Sequence, residues 1–314
     1  MTKQPEFYPD FSPAPAQWEE LKAAVGKGHL NRQFYMSMNG LLSAKSVKLA
    51  VLASGSEILA FSFYADRSWF SRDGGRFTGR SLGLITTLEA HQGSGFAKKL
   101  IYEIMDLALE ENIHFLYLQG IPNFYSKFGF HGFAPKRKFV FNLSLFTEQD
   151  CKVSLLSPSY YESVKRVYQA YSRSIGNLIV RSEKDWFDLF HSLSFTFLFY
   201  KPYVITDSDG RFIGYFSLSP TDPTQVREFA FEPTQENAFL ACSALAVYVR
   251  NFGASRLEVF SPATGPVYSL CSDRIDSDFI CYIRPSSSNM IKWLSGQRVP
   301  RSILESFIFQ GDNL

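Results

Sequence analysis

The run Ile85-Thr86-Thr87-Leu88-Glu89-Ala90-His91-Gln92-Gly93-Ser94-Gly95-Phe96-Ala97-Lys98-Lys99-Leu100 sets an apolar, β-leaning stretch directly before a glycine-rich turn and a helix start. The first N–H groups of a helix have no intrahelical partner, and the helix dipole favours negative charge there. Gly93 and Gly95 take side chains out of the turn, so a phosphate can approach the backbone closely. The chemistry on offer is therefore the cradling of a pyrophosphate. A nucleotide P-loop needs Gly-x-x-x-x-Gly-Lys-Ser/Thr and a dinucleotide fold needs Gly-x-Gly-x-x-Gly. Neither spacing occurs here. The spacing present is Gln92-x-x-Gly95-x-Ala97. Its plainest alternative is an ordinary strand–helix turn with two convenient glycines.

A second constellation follows. His114-Phe115-Leu116-Tyr117-Leu118 reads as a buried strand and leads to Gly120-Ile121-Pro122-Asn123-Phe124-Tyr125-Ser126-Lys127-Phe128-Gly129-Phe130. The first motif resembles the Gln/Arg-x-x-Gly-x-Gly/Ala acetyl-CoA signature of the GCN5-related N-acetyltransferases, the GNAT superfamily. The second resembles that family's Tyr-x-x-x-Gly-Phe pattern, whose tyrosine lies near the cofactor's sulfur. Order and separation also match the family, over residues 30–145. The resemblance implies that acetyl-CoA is the co-substrate, its pyrophosphate held by Gln92, Gly93, Ser94, Gly95, Phe96, Ala97 and Lys98. It implies that the backbone of Ile85, Thr86 and Thr87 pairs with the pantetheine arm like an added strand. Asn123 joins the cofactor contacts, and Tyr125 becomes the candidate catalytic residue. A phenol of pKa about 10 can protonate a leaving thiolate within hydrogen-bond reach; the alternative for Tyr125 is packing among Phe124, Phe128 and Phe130.

The elements that must position these residues are legible in outline. Lys45–Ala53 and Glu57–Tyr64 read as strands about the turn Ser54-Gly55-Ser56, and Ser81–Thr87 as the strand that enters the cradle. From Ser94 to about Asn112 the apolar Ala97, Leu100, Ile101, Ile104, Leu107 and Ala108 recur at helical spacing, opposite Lys98, Lys99, Glu103, Asp106 and Glu110. Asn112 is a plausible left-handed stop, and Lys138–Leu145 returns as a strand. In the second half, Ser157–Ser172, Ser182–Leu193 and Gln235–Asn251 read as helices, the second opened by a capping-box-like Ser182-Glu183-Lys184-Asp185. Asp207-Ser208-Asp209-Gly210 marks a hairpin between Pro202–Thr206 and Phe212–Ser217. Arg256–Phe260 reads as a strand and Thr264–Cys271 as a short helix.

Both halves contain a long helix, a strand and a Pro-containing segment with tyrosine: Leu116-Tyr117-Leu118 leads to Tyr125, and Leu257-Glu258-Val259 to Tyr268. The expected fold is mixed α/β, two tandem GNAT-like domains at 1–147 and 148–314, each a central mixed sheet flanked by helices. Tyr168-x-x-Tyr171 through Arg181-Ser182-x-x-x-Trp186 resembles the second domain of Eis-like acetyltransferases, many of which add a sterol-carrier-like third domain that is not expected here. The second copy's junction, Phe229-Ala230-Phe231-Glu232-Pro233-Thr234-Gln235-Glu236-Asn237, has no glycine, and Glu232 and Glu236 would repel a pyrophosphate. It is expected to be a non-catalytic copy that shapes the acceptor site, and a fragment ending near Asp150 is expected to bind CoA if it folds but to lose acceptor turnover.

Composition bounds the rest. The 314 residues suit about two domains, and 46% hydrophobic content suits sizeable cores. The 31 Phe and 16 Tyr mark most aromatic stripes as core rather than cofactor boxes. A net charge of +2 with no basic block argues against a large nucleic-acid footprint. Cys151, Cys242, Cys271 and Cys281 form no Cys-x-x-Cys pair or zinc-spaced cluster, so no metal is expected and free thiols in a reducing cytoplasm are. The N-terminus, with Glu6, Asp10 and several prolines, lacks a secretory pattern. The richest apolar stretch, Leu193–Ile205, holds Lys201 and Pro202 and is too short to span a membrane. Homo-oligomerisation stays open.

The expected activity is transfer of an acetyl group from acetyl-CoA to a primary amine by direct attack, with Tyr125 as general acid. A general base is not visible: the cradle strand carries Ser81, Thr86 and Thr87, and Glu89 sits close to the phosphate turn. Asp66 and the carboxylate of Leu314 are alternatives, while His91 and His131 read as surface or packing residues. The missing base keeps a second reading open, an acyl-CoA-binding sensor or interaction module of the same fold. Amino acids, polyamines, aminoglycosides and protein lysines all remain as acceptors.

Overall fold

The structure is a computed structural model that describes residues 4–27, 38, 40–70, 74–133, 137–175, 179–192, 201–219, 222, 224–261, 267 and 289–294. The first half runs β1 (Glu6–Tyr8), α1 (Pro15–Lys27), β2 (Lys48–Ser54), β3 (Glu57–Phe70), β4 (Arg76–Thr87), α2 (Phe96–Glu110), β5 (Phe115–Gln119), α3 (Pro122–Tyr125) and β6 (His131–Gly132). There follow β7 (Arg137–Asn142), β8 (Cys151–Leu155), α4 (Tyr161–Ile175), β9 (Ile179–Val180), α5 (Glu183–Phe187), a π-helical turn (Asp188–Ser192), β10 (Lys201–Asp207) and β11 (Phe212–Leu218). The last elements are β12 (Gln225–Phe231), α6 (Gln235–Arg250), β13 (Arg256–Ser261) and β14 (Asn289–Trp293).

These elements make two mixed sheets with helices on them, the fold class expected. The first has the order β1-β2-β3-β4-β5-β14-β6, with β9 added to β3; the second has the order β7-β13-β12-β11-β10-β8. Each sheet has one parallel pair, β4 with β5 and β12 with β13, and in each a long helix, α2 or α6, makes the crossover. The repeat is therefore a βαβ unit embedded in antiparallel strands.

The two sheets exchange strands. The strand antiparallel to β5 is β14, from late in the chain, paired from Asn289↔Gln119 to Trp293↔Phe115. Its counterpart against β13 is β7, from the first half, paired from Arg256↔Asn142 to Ser261↔Arg137. The segment 138–145 is thus a strand at its start, as expected, but lies in the second sheet and ends in a 3₁₀ turn at Leu143–Leu145. Each exchanged strand crosses the 147/148 division and completes the other half's sheet.

A buried ion pair and a buried carboxylate bind the halves further. Arg67 of β3 lies 2.6 Å from Asp185 of α5, with the side chains 6% and 5% exposed, an ion pair rather than an aligned hydrogen bond. Asp185 also closes the capping box of α5, its Oδ2 accepting from Ser182 N at 2.7 Å and Ser182 Oγ at 2.8 Å. Asp188, fully buried, accepts from the backbone N–H groups of Lys45 and Ser46, both at 2.7 Å. These contacts explain two departures from the sequence reading. β3 continues past Tyr64 to Phe70 because Asp66 and Arg67, which look like strand-ending charges, have partners. The helix expected over 182–193 becomes α5 plus the π turn, which carries Asp188 to the 45–46 backbone.

Other expectations differ only at their ends. α2 is shorter than 94–112, Gly95 standing before it at φ +79° and Asn112 after it at φ +57° as the expected left-handed stop. Of Thr264–Cys271, expected as a helix, only Val267 is among the described residues, helical and buried. Tyr268, Leu314, Cys271 and Cys281 lie outside the described residues; Cys151 and Cys242 are free thiols.

The exchange changes what a fragment should do. A chain ending near Asp150 lacks β14, leaving the edge of β5 open, and has a β7 with no sheet to join. Such a fragment should aggregate when expressed alone. Full-length protein cut at an engineered protease site beside Asp150 should instead stay one particle with one unfolding transition. Separation of the two pieces on a sizing column would exclude the exchange. Arg67→Met should cost about 3–5 kcal/mol in denaturant unfolding, the range for stranding a buried charge; a cost below about 1 kcal/mol, the range of an exposed pair, would show that the pair is not holding the halves.

Candidate active site

The site begins where β4 and β5 part. Their parallel ladder runs from Gly79↔Phe115 to Leu82↔Leu118 and stops. β4 continues to Thr87 with β3 on its other side, so the backbone after Leu82 has one edge no longer paired to β5. A bulge marks the parting: Phe61 pairs with Thr86 but Phe63 with Gly83, leaving Leu84 and Ile85 against Ser62. Leu84 takes φ +55°, a conformation that costs a branched residue free energy and persists only where the surroundings hold it. The buried Ser62 Oγ donates to Gly83 O at 3.0 Å, and Thr86 Oγ1 donates to Leu84 O at 3.0 Å. These bonds fix the bulge from both sides.

Beyond Thr87 a 3₁₀ turn (Glu89–His91) leads to Gln92, Gly93, Ser94 and Gly95, all exposed. Gly95 is the N-cap of α2 in the left-handed region and gives the helix no side-chain cap. The first intrahelical bond is from Lys99 N–H to Gly95 O at 3.0 Å, so the N–H groups of Phe96, Ala97 and Lys98 precede it. A Cβ on Gly93 or Gly95 would meet nothing within 4 Å, which leaves the turn open to a ligand. Phe96 and Ala97 are half-buried and Lys98 is exposed. His91 lies 3.0 Å from Glu57 and edges onto the Phe96 ring at 6.0 Å, a packing role as expected. His131 is exposed in β6.

Tyr125 ends α3, the short helix that Pro122 opens just past β5. Its ring lies against the backbone of Gly120, where any Cβ would sit 2.2 Å from Tyr125 Cε2. It also packs edge-on with Phe124 at 5.0 Å and Phe130 at 6.0 Å. Burial pushes its pKa above the usual tyrosine value. Tyr125, Ile85 and Phe96 all pack against one apolar cluster that includes Leu100, Leu118, Phe128 and Phe130. The fold thus brings the cradle helix, the parted strand and the tyrosine onto one core. Asn123 is exposed on α3.

A cavity of about 770 Å³ lies beside the turn, lined by Thr87–Gln92 and by Glu20, Ala23 and Ala24 of α1. Glu20, Glu57 and Glu89 line it, so it disfavours phosphate. Asp66 is engaged: both its oxygens accept from the buried Arg80, at 2.7 and 3.0 Å, and Arg80 also bonds Glu111 at the end of α2. This network, invisible to sequence reading because its members lie 14 and 31 residues from Arg80, ties the foot of α2 to β3 and β4. No group of three or more potential metal ligands occurs among the described residues.

The second half has the same unit without the same opening. α6 is capped by Thr234, whose side chain accepts from Asn237 N at 3.1 Å, and Glu232 pairs with Arg166 at 3.5 Å. The donor that a phosphate would need is taken. Among the described residues no helix is long and apolar enough to cross a membrane.

No protein-family model and no curated protein sequence matches the chain. Solved structures do. A GCN5-related N-acetyltransferase from Anabaena variabilis superposes with a TM-score of 0.66 at 12% identity, over 92% of this chain and 73% of that one. Eis1 from Mycobacterium abscessus gives 0.61 at 13% identity, over 92% and 74%. A tandem GNAT protein from the clavulanic acid biosynthesis pathway gives 0.51 at 12% identity, over 94% of this chain and all of that one. At such identities the likeness is one of fold alone: the chain has the fold of these N-acetyltransferase structures, the tandem GNAT protein among them.

Proposed function

We propose that the protein is an N-acetyltransferase that moves an acetyl group from acetyl-CoA to a primary amine, with the first half (residues 1–147) as the catalytic copy and the second (residues 148–314) as a non-catalytic one. The observation that carries this reading is the convergence on one core of an uncapped helix start at Gly95, a strand edge released by β5 after Leu82, and the half-buried Tyr125. The α2 N-terminus, with Gln92 to Lys98, would hold the pyrophosphate through backbone N–H groups. The backbone of Ile85, Thr86 and Thr87 would extend the sheet onto the pantetheine arm. Asn123 stands beside it on α3.

Acetyl-CoA supplies the thioester. A neutral amine nitrogen attacks the carbonyl carbon, the C–S bond breaks, and the thiolate takes the Tyr125 Oη proton. The proton lost by the new amide nitrogen goes to water, because the carboxylate nearest in type to a base, Asp66, is held by Arg80. That engagement also favours the second reading, a CoA-binding module without turnover, which kinetics separates from the first.

Gly95→Glu puts a carboxylate and its bulk where the pyrophosphate would lie and should abolish CoA binding by calorimetry. The control belongs at Gln235, exposed at the first helical position of α6, since Asn237 is buried; Gln235→Glu should bind CoA as wild type does. Wild-type affinity in a folded Gly95→Glu variant would defeat the cofactor assignment. Tyr125→Phe should lower kcat by about 10²–10⁴-fold with CoA affinity nearly intact. Since burial raises the Tyr125 pKa above the usual tyrosine value, the phenol stays protonated through neutral pH. The kcat/KM profile over an amine panel should therefore rise as each acceptor loses its proton and show no falling limb from Tyr125 near neutral pH. A Tyr125→Phe enzyme with unchanged turnover would reduce the residue to packing.

A further inference from the structure

We propose that Tyr102 is a stacking platform for the adenine of CoA, with Lys98 holding the neighbouring 3′-phosphate; this rests on the CoA reading above. Tyr102 lies on the solvent face of α2 and is 41% exposed, an unusual position for a large ring in a helix whose opposite face already fills the core. It is not isolated. Its ring meets Phe128 at 5.8 Å, Phe128 meets Phe124 at 5.4 Å, and Phe124, itself 38% exposed, meets Tyr125 at 5.0 Å. A continuous line of rings therefore runs from the candidate catalytic tyrosine, through the buried Phe128, to the exposed side of α2. Phe124 adjoins Tyr125 and so belongs to the thioester end. Tyr102 is the far end of the line.

Its place on α2 fits the dimensions of the ligand. Tyr102 is seven residues past Gly95, about 10 Å along the axis at 1.5 Å per residue. That is about the reach of a ribose joined to a pyrophosphate bound at the helix start. Helical side chains lean toward the N-terminus, so the Tyr102 ring tilts back toward the turn. Lys98, one turn earlier on the same face, has its Nζ 6.0 Å from the ring centre. Asp106 and Glu110 follow at one and two turns beyond Tyr102. The charge along this face runs from positive beside the turn to negative at the far end, so an anionic group is favoured on the Lys98 side of the ring and the uncharged base over it. Phe128 meets Tyr102 at 63° between ring planes, an edge contact that supports the ring from the core side.

The test is calorimetry with CoA, 3′-dephospho-CoA and 4′-phosphopantetheine on the full chain. Tyr102→Ala should weaken CoA and 3′-dephospho-CoA by about fivefold to a hundredfold, the range for a base–aromatic stack, and leave 4′-phosphopantetheine unchanged. Tyr102→Phe should bind as wild type. Tyr102→Leu, which keeps an apolar contact for Phe128, should show the same loss as alanine. Lys98→Met should weaken CoA more than 3′-dephospho-CoA, so that the difference between the two ligands shrinks. Wild-type CoA affinity in the Ala and Leu variants would overturn the proposal, as would an equal loss of 4′-phosphopantetheine. Failure of the wild-type protein to bind CoA would overturn the parent reading, a result distinguishable from either.

Discussion

The parting of β4 from β5 after Leu82↔Leu118 is the constraint on which the candidate site depends. A parallel pair ordinarily satisfies the backbone of both strands along its whole length. Here the bulge at Leu84–Ile85, pinned by Ser62 and Thr86, turns β4 away while β5 runs on to Gln119 beside β14. The free edge, the helix start at Gly95 and the tyrosine after β5 then face a single region because all three are attached to the strands that part. Had the ladder continued, the cradle and Tyr125 would sit at the ends of a closed sheet with no path between them.

The exchange of β7 and β14 makes this geometry a property of the whole chain. β5 is held on one side by four pairs to β4 and on the other by five pairs to β14, a strand supplied about 170 residues later. The buried Arg67–Asp185 pair and the Asp188 clamp on the 45–46 backbone act in the same direction. Removing water from such charges is costly, and each arrangement is favourable only with its partner in place. The second half is thus part of the scaffold of the first, whatever else it contributes.

The two βαβ units show how small a difference separates a cradle from a plain crossover. α2 starts after a left-handed glycine with no side-chain cap, whereas α6 starts after Thr234, which bonds the N–H of Asn237. The first helix leaves its terminal donors to a ligand and the second satisfies one of them itself. Glu232 adds a negative charge at the second junction, further disfavouring phosphate.

Much of the local structure was legible in the sequence, because it depends on interactions between near neighbours. The Gln92-x-x-Gly95-x-Ala97 turn, the amphipathic face of α2, the left-handed Asn112, the capping box at Ser182 and the hairpin at Asp207–Gly210 are each set by residues within a few positions of one another. The repeat of helix and strand order gave the tandem fold for the same reason. What only the tertiary structure decided involves distant partners. Arg80 with Asp66 and Glu111, Arg67 with Asp185, and Asp188 with the 45–46 backbone look in sequence like surface charges, yet their partners allow them to be buried. The assignment of β7 and β14 to opposite sheets is beyond any local pattern. A strand's alternation records that it has a buried face, while its hydrogen-bond partner is fixed by packing of the whole chain.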